Sequence, residues 1–247
     1  MNMVKISNIK EFKNIIDSAN RFLDDIRLVV DDTGMHFKGL TQGHTVFLWV
    51  DFDKEYFEEL SMDSPYNIDI STTDLLKILK MGKQGDYLSL IPTTEKLRVI
   101  FDNDKKKTHK EFGIKLLDLG DNTLTPPNIE LPVSIDMGYE IFNDLIKDAN
   151  LVSDDAFTLT IDNTRLIIKA EGAFGDVEGE YIHGSDVKDS IEVSVATQYM
   201  INALSMCLND NITINAGTQL PVIIGMNNDD DTAHAGFMIA PRIEVDD

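Results

Sequence analysis

The chain has 247 residues, 43% of them hydrophobic, so it can bury one large core or two smaller ones. No run approaches the roughly 18 apolar residues of a membrane span, and the N-terminus lacks a secretion signal, so we expect a soluble, cytoplasmic protein. With 43 acidic residues against 22 Lys and Arg, the net charge is −21, which disfavours indiscriminate adhesion to nucleic acid. Any nucleic-acid-binding surface would require the few cations to be gathered on one face.

Four short amphipathic segments interrupt a series of short alternating strands, which predicts an α+β fold. Helices are predicted near residues 8–21, 72–82, 138–150 and 196–207, and Ser71 or Thr72 can cap the second. Strands are predicted at 26–30, 35–40, 46–52, 66–70, 87–91 and 97–101 in the first half of the chain. In the second half they are predicted at 157–161, 166–170, 178–182, 191–195, 212–215, 222–226 and 235–239.

The two halves repeat each other residue by residue, which indicates two copies of one β-rich fold. At a separation of 130, the matching residues are Phe12, Ile16, Ala19, Asn20, Asp24 and Asp25 with Phe142, Ile146, Ala149, Asn150, Asp154 and Asp155. One inserted residue later, Leu28, Asp31 and Lys38 match Leu159, Asp162 and Lys169. Further on, Ile68, Ser71 and Ile78 match Ile191, Ser194 and Ile201.

A proline-rich segment, 118–132, separates the copies and is predicted to be an extended connector, either a plain linker or a surface that partners touch. The predicted domains are therefore 1–117 and 133–247, with 118–132 as the interdomain connector. Each domain is expected to carry two helices on one side of its sheets.

Catalytic, cofactor and metal motifs are not found, so we predict no catalytic residues, no cofactor and no metal site. Cys207 is the single cysteine and is expected to be a packed or half-buried helical thiol. The run Asn227 to Asp231 lacks the glycine and glutamate of a calcium loop and is interpreted as a solvated hairpin loop. The acidic doublets that follow a helix in both copies are interpreted as structural.

Lysines gather opposite the apolar faces of three predicted helices, where a solvated polar face is the default explanation for any one of them. The residues are Lys10, Lys13, Lys77, Lys80, Lys83 and Lys147. Helices of both halves could share one side of the sheets, which would make a basic stripe on an acidic body. Flexible lysines contact phosphates without reading bases, so the stripe predicts loose, sequence-independent contact with duplex DNA.

Several segments resemble the proliferating cell nuclear antigen family of DNA sliding clamps, particularly its archaeal form, and the resemblance covers essentially the whole chain. The most specific segments are Met238 to Glu244, Leu75 to Met81, Lys115 to Leu119, Phe174 to Asp176 with Glu180 to Gly184, and Leu220 to Val222. The resemblance implies two similar clamp domains per chain, with sheets outside and two helices each on the inner face, in a ring of three subunits. It implies a non-enzymatic processivity factor in DNA replication, associated with the nucleoid.

Partners of such clamps include the clamp loader, DNA polymerase, flap endonuclease and DNA ligase, and they dock through a short peptide with a glutamine and hydrophobic anchors. The resemblance places the pocket for this peptide at Leu40, His44, Thr45, Phe47, Leu124, Pro126, Pro221, Met238, Ala240 and Pro241. It places the subunit contact on two edge strands, Glu111 to Leu117 and Asp176 to His183, through Phe112, Ile114, Leu116, Val177 and Tyr181.

Two alternatives stay open at this point. A clamp-like subunit of a heterotrimer would need unlike partners to close its ring. An acidic, metal-dependent hydrolase would bring carboxylates together in a single pocket.

Overall fold

The computed structural model describes residues 2–120 and 124–242; residues 121–123 of the connector and the C-terminal Ile243 and Glu244 lie outside the described residues. The described chain divides into two compact units. The first unit comprises residues 2–40, 49–120, 124–125 and 228–234, and the second comprises 41–48, 126–227 and 235–242. None of the helices within the described ranges combines the length and the hydropathy needed to span a membrane.

The elements of the N-terminal half are short antiparallel strands with two helices. They are β1 (Met3–Ile6), α1 (Ile9–Ala19), β2 (Asp25–Val30), β3 (Gly34–Leu40), β4 (Val46–Asp53), a 3-10 turn (Lys54–Tyr56), β5 (Glu59–Ser61), β6 (Tyr66–Ser71), α2 (Thr72–Leu79), β7 (Tyr87–Pro92), β8 (Lys96–Asn103) and β9 (Thr108–Lys115). In the first unit the strands β5, β1, β7, β8 and β9 pair in that order, and β2 lies between β3 and β6.

The C-terminal half repeats this plan. Its elements are β10 (Val133–Gly138), α3 (Tyr139–Val152), β11 (Ala156–Ile161), β12 (Arg165–Gly172), β13 (Gly175–Ile182), β14 (Ile191–Ala196), α4 (Thr197–Leu204), β15 (Asn211–Ala216), β16 (Val222–Asn227) and β17 (Ala233–Ile239). In the second unit β13, β12, β11 and β14 pair in that order, and β15 lies between β10 and β16. The predicted α+β class and the two similar domains are confirmed.

All four predicted helices are present, each because a stripe of apolar residues is buried on one side. In α1 the buried stripe includes Phe12, Ile15 and Ile16, and the Asn8 side chain accepts a hydrogen bond from the Glu11 amide at its N-terminus. Ser71 caps α2 in the same way, through the Asp74 amide. The helix α4 ends at Leu204, three residues earlier than predicted. Cys207 therefore lies outside it, exposed and with a φ of 36°, and the prediction of a packed helical thiol was wrong.

Three strands were not predicted: β1, β5 and β10. Of these, β1 and β5 have four and three residues, too few for a clear period. They are strands because β1 pairs with both β5 and β7. The strand β10 alternates buried and exposed residues but directly follows the prolines of the connector.

The repeat is confirmed in the core, where residues matched at a separation of 130 or 131 take equivalent places. Phe12 and Phe142 are both fully buried, as are Leu28 and Leu159. The matched asparagines Asn20 and Asn150 each link the two helices of their copy. Asn20 Oδ1 accepts a hydrogen bond of 2.8 Å from Thr73 of α2, and Asn150 Oδ1 accepts one of 2.8 Å from Gln198 of α4.

The register of the repeat needs two corrections. The Asp24 carbonyl accepts a hydrogen bond from the Thr72 amide. In the second copy the matching Thr197 amide donates to the Asp155 carbonyl. Asp24 therefore corresponds to Asp155, not to Asp154, and the inserted residue lies before this position.

The other correction concerns β6 and β14. Leu28 lies opposite Ile68 on β6, whereas Leu159 lies opposite Val193 on β14. The true partner of Ile68 is therefore Val193, not Ile191. The slip of two residues escaped detection because side chains two apart on a strand share a face.

Candidate functional site

The lysines predicted to face DNA in the first unit lie on or just after α1 and α2. Lys10, Lys77, Lys80 and Lys83 are exposed and Lys13 is half-buried. The two helices pack together, joined by the Thr73–Asn20 hydrogen bond, so these lysines share one helical layer. Lys77 Nζ lies 3.0 Å from Asp74 Oδ1, a pair that is largely solvent-exposed and therefore weak. Arg21, which was not predicted, adds another cation to this layer and pairs with Asp17 at 3.6 Å.

A lysine-rich hairpin turn between β8 and β9 lies beside the end of α2 and was also missed. Asp86, buried at this point, accepts hydrogen bonds from the Lys83 amide (3.0 Å) and from Asn103 Nδ2 (2.7 Å). Asn103 in turn accepts one from the Lys106 amide (2.9 Å). Burial raises the pKa of Asp86, but these hydrogen bonds and the charges of Lys110 and Lys106 outweigh it and hold the pKa below its ordinary value. The signal in the sequence was the run Lys105 to Lys107.

The second unit presents a different helical layer. Lys147 is exposed, and its Nζ lies 3.1 Å from Asp144 Oδ1. Glu140 and Asp148 lie on the same helix, and α4 carries no charged residue. Lys147 is therefore a single cation among three carboxylates.

The strands β9 and β13, predicted as subunit contacts, both lie at an edge of their sheet. On β9, Phe112 is half-buried and packs its ring 6.1 Å from that of Phe101. Ile114 is only 5% exposed, so its side chain offers little surface to a neighbour. Leu116 lies just beyond the strand and is half-buried.

The edge strand β13 presents alternating residues on its two faces. Val177 and Tyr181 are half-buried on one face, and Asp176, Glu178 and Glu180 are exposed on the other. Two large apolar residues that sequence reasoning missed lie at its ends. Phe174 is 73% exposed in the turn before β13, and Ile182 is 72% exposed at its last position. β13 pairs with β12 on one side only, and exposed apolar residues beside an open strand edge are typical of a surface that binds another chain.

Seven of the predicted pocket residues lie in the second unit. They are His44, Thr45, Phe47, Pro221, Met238, Ala240 and Pro241. The Ala240 amide donates to the Thr45 carbonyl at 2.8 Å, which brings the end of β17 next to the loop before β4. That loop is tight: Thr41 Oγ1 accepts from the amides of Thr45 and Val46, and His44 has a φ of 54°.

Burial ranks these pocket residues by the surface that they offer. Phe47 and Met238 are only 4% and 8% exposed, so they offer little surface to a ligand. Thr45, Pro221, Ala240 and Pro241 are half-buried and His44 is exposed. Of the remaining pocket residues, Leu40 is half-buried in the first unit, and Leu124 and Pro126 of the connector are exposed.

Carboxylates and histidines form several small clusters with structural roles. Asp31 and Asp162 make the same turn in the two copies, each accepting hydrogen bonds from the Thr two residues later. Burial of Asp31 opposes its ionisation, but the Thr33 hydrogen bonds prevail and lower its pKa to about 2. In Asp162 the amides of Thr164 and Arg165 lower the pKa to about 2.

The loop between β16 and β17 is ordered by Asn228, whose Oδ1 accepts hydrogen bonds from the Thr232 and Ala233 amides. This confirms the hairpin interpretation of the acidic run. Within residues 2–120 and 124–242, no three His, Cys, Asp or Glu side chains are grouped so that they could hold a metal ion.

Known proteins similar to this chain were found by comparing sequences and structures. The family model described as the N-terminal domain of proliferating cell nuclear antigen matches residues 1–123. A DNA polymerase sliding clamp from Methanothermobacter thermautotrophicus is 27% identical over 236 residues, covering 94% of this chain and 93% of the relative. A DNA polymerase sliding clamp from Pyrococcus furiosus is 27% identical over 243 residues, covering 95% and 96%.

Among solved structures, the fold is similar to that in the PCNA2–PCNA3 complex from Sulfolobus tokodaii. The TM-score is 0.87 at 21% identity, covering 98% of this chain and 100% of the other.

Proposed function

Because the chain belongs to the proliferating cell nuclear antigen family, whose archaeal members are DNA polymerase sliding clamps, we propose that three copies of it form a ring around duplex DNA. The ring tethers replication and repair proteins to the template and catalyses no reaction itself. The observation that carries the proposal is the duplicated fold, in which each copy supplies a packed pair of helices and an edge strand. Domains 1–117 and 133–247, joined by the connector 118–132, would be the repeating parts of this ring.

The charges of the two edge strands favour self-assembly over a heterotrimer. The strand β9 (108–115) carries Lys110, Lys115 and Glu111, a net charge of +1, and the turn before it, residues 104–107, brings the total to +3. Residues 175–182 contain Asp176, Glu178 and Glu180 and no cation, a net charge of −3. A head-to-tail contact between β9 of one copy and β13 of the next would join opposite charges and remove both open edges. Phe112, Leu116, Val177 and Tyr181 would supply its apolar part, with Ile114 supporting them from beneath.

The heterotrimeric alternative has one observation behind it, since the solved relative from Sulfolobus tokodaii is a complex of two different clamp chains. In a heterotrimer, the edge strand that pairs with β9 or β13 of one subunit would belong to a different protein. Here both members of a complementary pair lie on one chain.

Contact with DNA would come from the helical layers. Lys10, Lys13, Lys77, Lys80 and Lys83 of the first unit would meet phosphates, and Lys147 of the second would add little because it is one cation on a helix with three carboxylates. Such contacts are independent of sequence and sensitive to salt, which suits a ring that must slide.

Clients would bind at the predicted pocket through a short peptide with a glutamine and hydrophobic anchors. Met238 and Phe47 would form its apolar floor, and the exposed Leu124 and Pro126 of the connector would contact the peptide. Clamp loader, DNA polymerase, flap endonuclease and DNA ligase are the expected clients. This function places the protein in the cytoplasm, at the nucleoid.

The first test is the mass in solution, measured by light scattering at micromolar concentration and moderate salt. We expect three times the monomer mass of 27.7 kDa. A stable monomer or dimer would contradict the homotrimer and favour a heterotrimer.

The second test is topological. A ring loaded onto closed circular DNA should remain bound through gel filtration and should be lost when the DNA is cut once, because it slides off the ends. Equal retention on circular and linear DNA would contradict the encircling ring.

A further inference from the structure

The first residues after β9 are fixed by hydrogen bonds to β6 and to the turn between β7 and β8. The Leu117 amide donates to the Asp69 carbonyl at 2.8 Å, and the Leu119 amide donates to Asp69 Oδ2 at 3.1 Å. The Leu116 amide donates to the Glu95 carbonyl at 3.3 Å. These bonds set the course of the chain where it enters the connector, and one of them depends on the Asp69 side chain.

Arg27 holds that side chain in place. Arg27 on β2 lies directly opposite Asp69 on β6. Its guanidinium donates two hydrogen bonds of 2.6 Å to the carboxylate, from Nε to Oδ1 and from Nη2 to Oδ2. Asp69 is only 9% exposed. The Arg27 hydrogen bonds lower the pKa of Asp69 against the opposing effect of burial, and the Leu119 amide lowers it further. Oδ2 thus accepts from Arg27 and from the connector at once.

The second copy of the fold lacks this pair at the equivalent place. There the Ser194 carbonyl accepts a hydrogen bond of 2.8 Å from the Arg242 amide, as the Asp69 carbonyl does from Leu117. The residues corresponding to Arg27 and Asp69 are Thr158 and Ser194, partners across β11 and β14. An open cleft of about 420 Å³, lined by Thr158, Ser194 and Lys169 among others, lies where the first copy has its ion pair. The pair is therefore specific to the copy that leads into the connector.

We propose that Arg27 and Asp69 are positioning residues for client binding: they fix the first residues of the connector so that its client-facing part is presented in an ordered state. Ordering a flexible connector on binding costs conformational free energy. A peptide that binds a connector that is already ordered avoids this cost, so its affinity is higher. This inference rests on the proposed function, because it assumes that clients touch the connector.

The positioning role is tested by giving the first copy the residues that the second copy has at the equivalent positions. The double variant Arg27→Thr with Asp69→Ser installs the residues that the chain itself uses at Thr158 and Ser194, and the net charge does not change. Binding of a fluorescein-labelled peptide with one glutamine and two hydrophobic anchors is measured by fluorescence anisotropy on the assembled protein. We expect about tenfold weaker binding, the loss typical of a buried charge-assisted hydrogen bond.

Two controls separate positioning from general damage. Lys54→Thr with Glu55→Ser removes one exposed charge of each sign from the same unit and should leave the peptide affinity unchanged. Arg27→Lys keeps a cation beside Asp69 and the Leu119 hydrogen bond, so it should recover most of the affinity. Hydrogen exchange should accelerate at the Leu119 amide of the double variant, with the mass in solution unchanged.

Each outcome decides a different point. If the unaltered protein does not bind the peptide, the proposed pocket fails. If it binds and the double variant binds equally well, the positioning role is overturned. If the double variant does not assemble, Asp69→Asn replaces it, since this change keeps the shape of the side chain but removes the charge. A loss of about threefold is then expected, and no loss overturns the inference.

Discussion

The two helical layers of this chain share an architecture and differ in charge. Residues 9–21 and 72–83 of the first copy contain six cations and three carboxylates, a net charge of +3. The equivalent residues 139–151 and 197–208 of the second copy contain one cation and three carboxylates, a net charge of −2. Lys10 corresponds to Glu140, and Asp17 to Lys147. After the duplication, the buried face was retained because packing requires it, whereas the exposed face diverged because its charges contribute little to stability.

The strongest test of the retained face is truncation of the matched aromatic residues. Phe12→Ala and Phe142→Ala each remove a fully buried ring and should each lower the free energy of unfolding by about 3–5 kcal/mol. Phe12→Ala should cost roughly 0.5–1.5 kcal/mol more, because its ring contacts that of Phe52 at 5.6 Å. Within the described part of the chain, Phe142 has no comparable ring contact.

Urea unfolding monitored by circular dichroism measures both changes. Equal losses would show that the ring contact adds nothing beyond burial, and a loss below about 1 kcal/mol at either site would contradict the shared core.

The diverged face predicts unequal contributions to DNA binding. Replacing Lys77, Lys80 and Lys83 by Glu should weaken DNA binding by at least tenfold at moderate salt. The slope of log affinity against log salt concentration should become shallower by roughly 0.9 for each phosphate that the protein no longer neutralises. Lys147→Glu should change the affinity less than about twofold, because its helical layer already has a net charge of −2 and attracts phosphates weakly.

The measurement is binding to a short fluorescein-labelled linear duplex, followed by fluorescence anisotropy over a series of salt concentrations, with Lys54→Glu and Lys188→Glu as controls away from the helices. A larger effect of Lys147→Glu than of the triple change would reverse the comparison.

How much of this could be read from the sequence depends on the distance over which the determining contacts act. The helices and the core of the repeat were predictable, because Phe12, Ile16 and Ala19 obey a local period and recur at a constant separation. The strand β5 was not predictable, because its three residues are held only by pairing with β1. The two-residue slip between β6 and β14 was invisible for a related reason, since the strand period repeats after two residues.

The candidate site divides in the same way. The lysines could be named from the sequence because their charges lie opposite locally periodic apolar residues, whereas the two edge strands were named from the family resemblance. Their roles in contacting DNA and neighbouring subunits stay predictions. The Arg27–Asp69 pair was missed because it joins residues 42 positions apart and depends on the register of β2 against β6. The burial of Phe47 and Met238 was also beyond the sequence, since an apolar residue on a strand can face either the core or a partner.

The two copies also differ at a helix N-terminus, where the expected effect on stability is smaller. Ser71 caps α2, whereas Ala196 precedes α4 with nearly the same backbone conformation (φ −70°, ψ 126° against φ −65°, ψ 121°). Ser71→Ala should therefore lower the free energy of unfolding by about 1 kcal/mol, and Ala196→Ser should raise it by about 0.5–1 kcal/mol. Thermal unfolding of the two single variants and their combination measures both, and destabilisation by Ala196→Ser would show that the two positions are not equivalent.

The smallest expected difference concerns pH. His36 on β3 lies between two carboxylates, with Nε2 3.2 Å from Asp31 and Nδ1 3.4 Å from Asp51, and the equivalent residue on β12 is Ile167. The hydrogen bond to Asp51 raises the pKa of His36 above 6.5, burial opposes this, and Asp31 adds to the rise. A raised pKa in the folded state means that the stabilisation is fully present below pH 6.5 and is lost as the pH rises through the folded value.

His36→Ile, which copies the second unit, should abolish this dependence and cost about 0.2–1 kcal/mol at pH 6 but almost nothing at pH 8. Urea unfolding across this range, repeated with Asp51→Asn and with both changes together, isolates the pair. Because Asp51 and Asp31 both raise the pKa of His36, Asp51→Asn alone should remove part of the slope that His36→Ile removes. If the slope of the free energy of unfolding against pH is unchanged in both variants, other groups cause the pH dependence and His36 does not contribute to it.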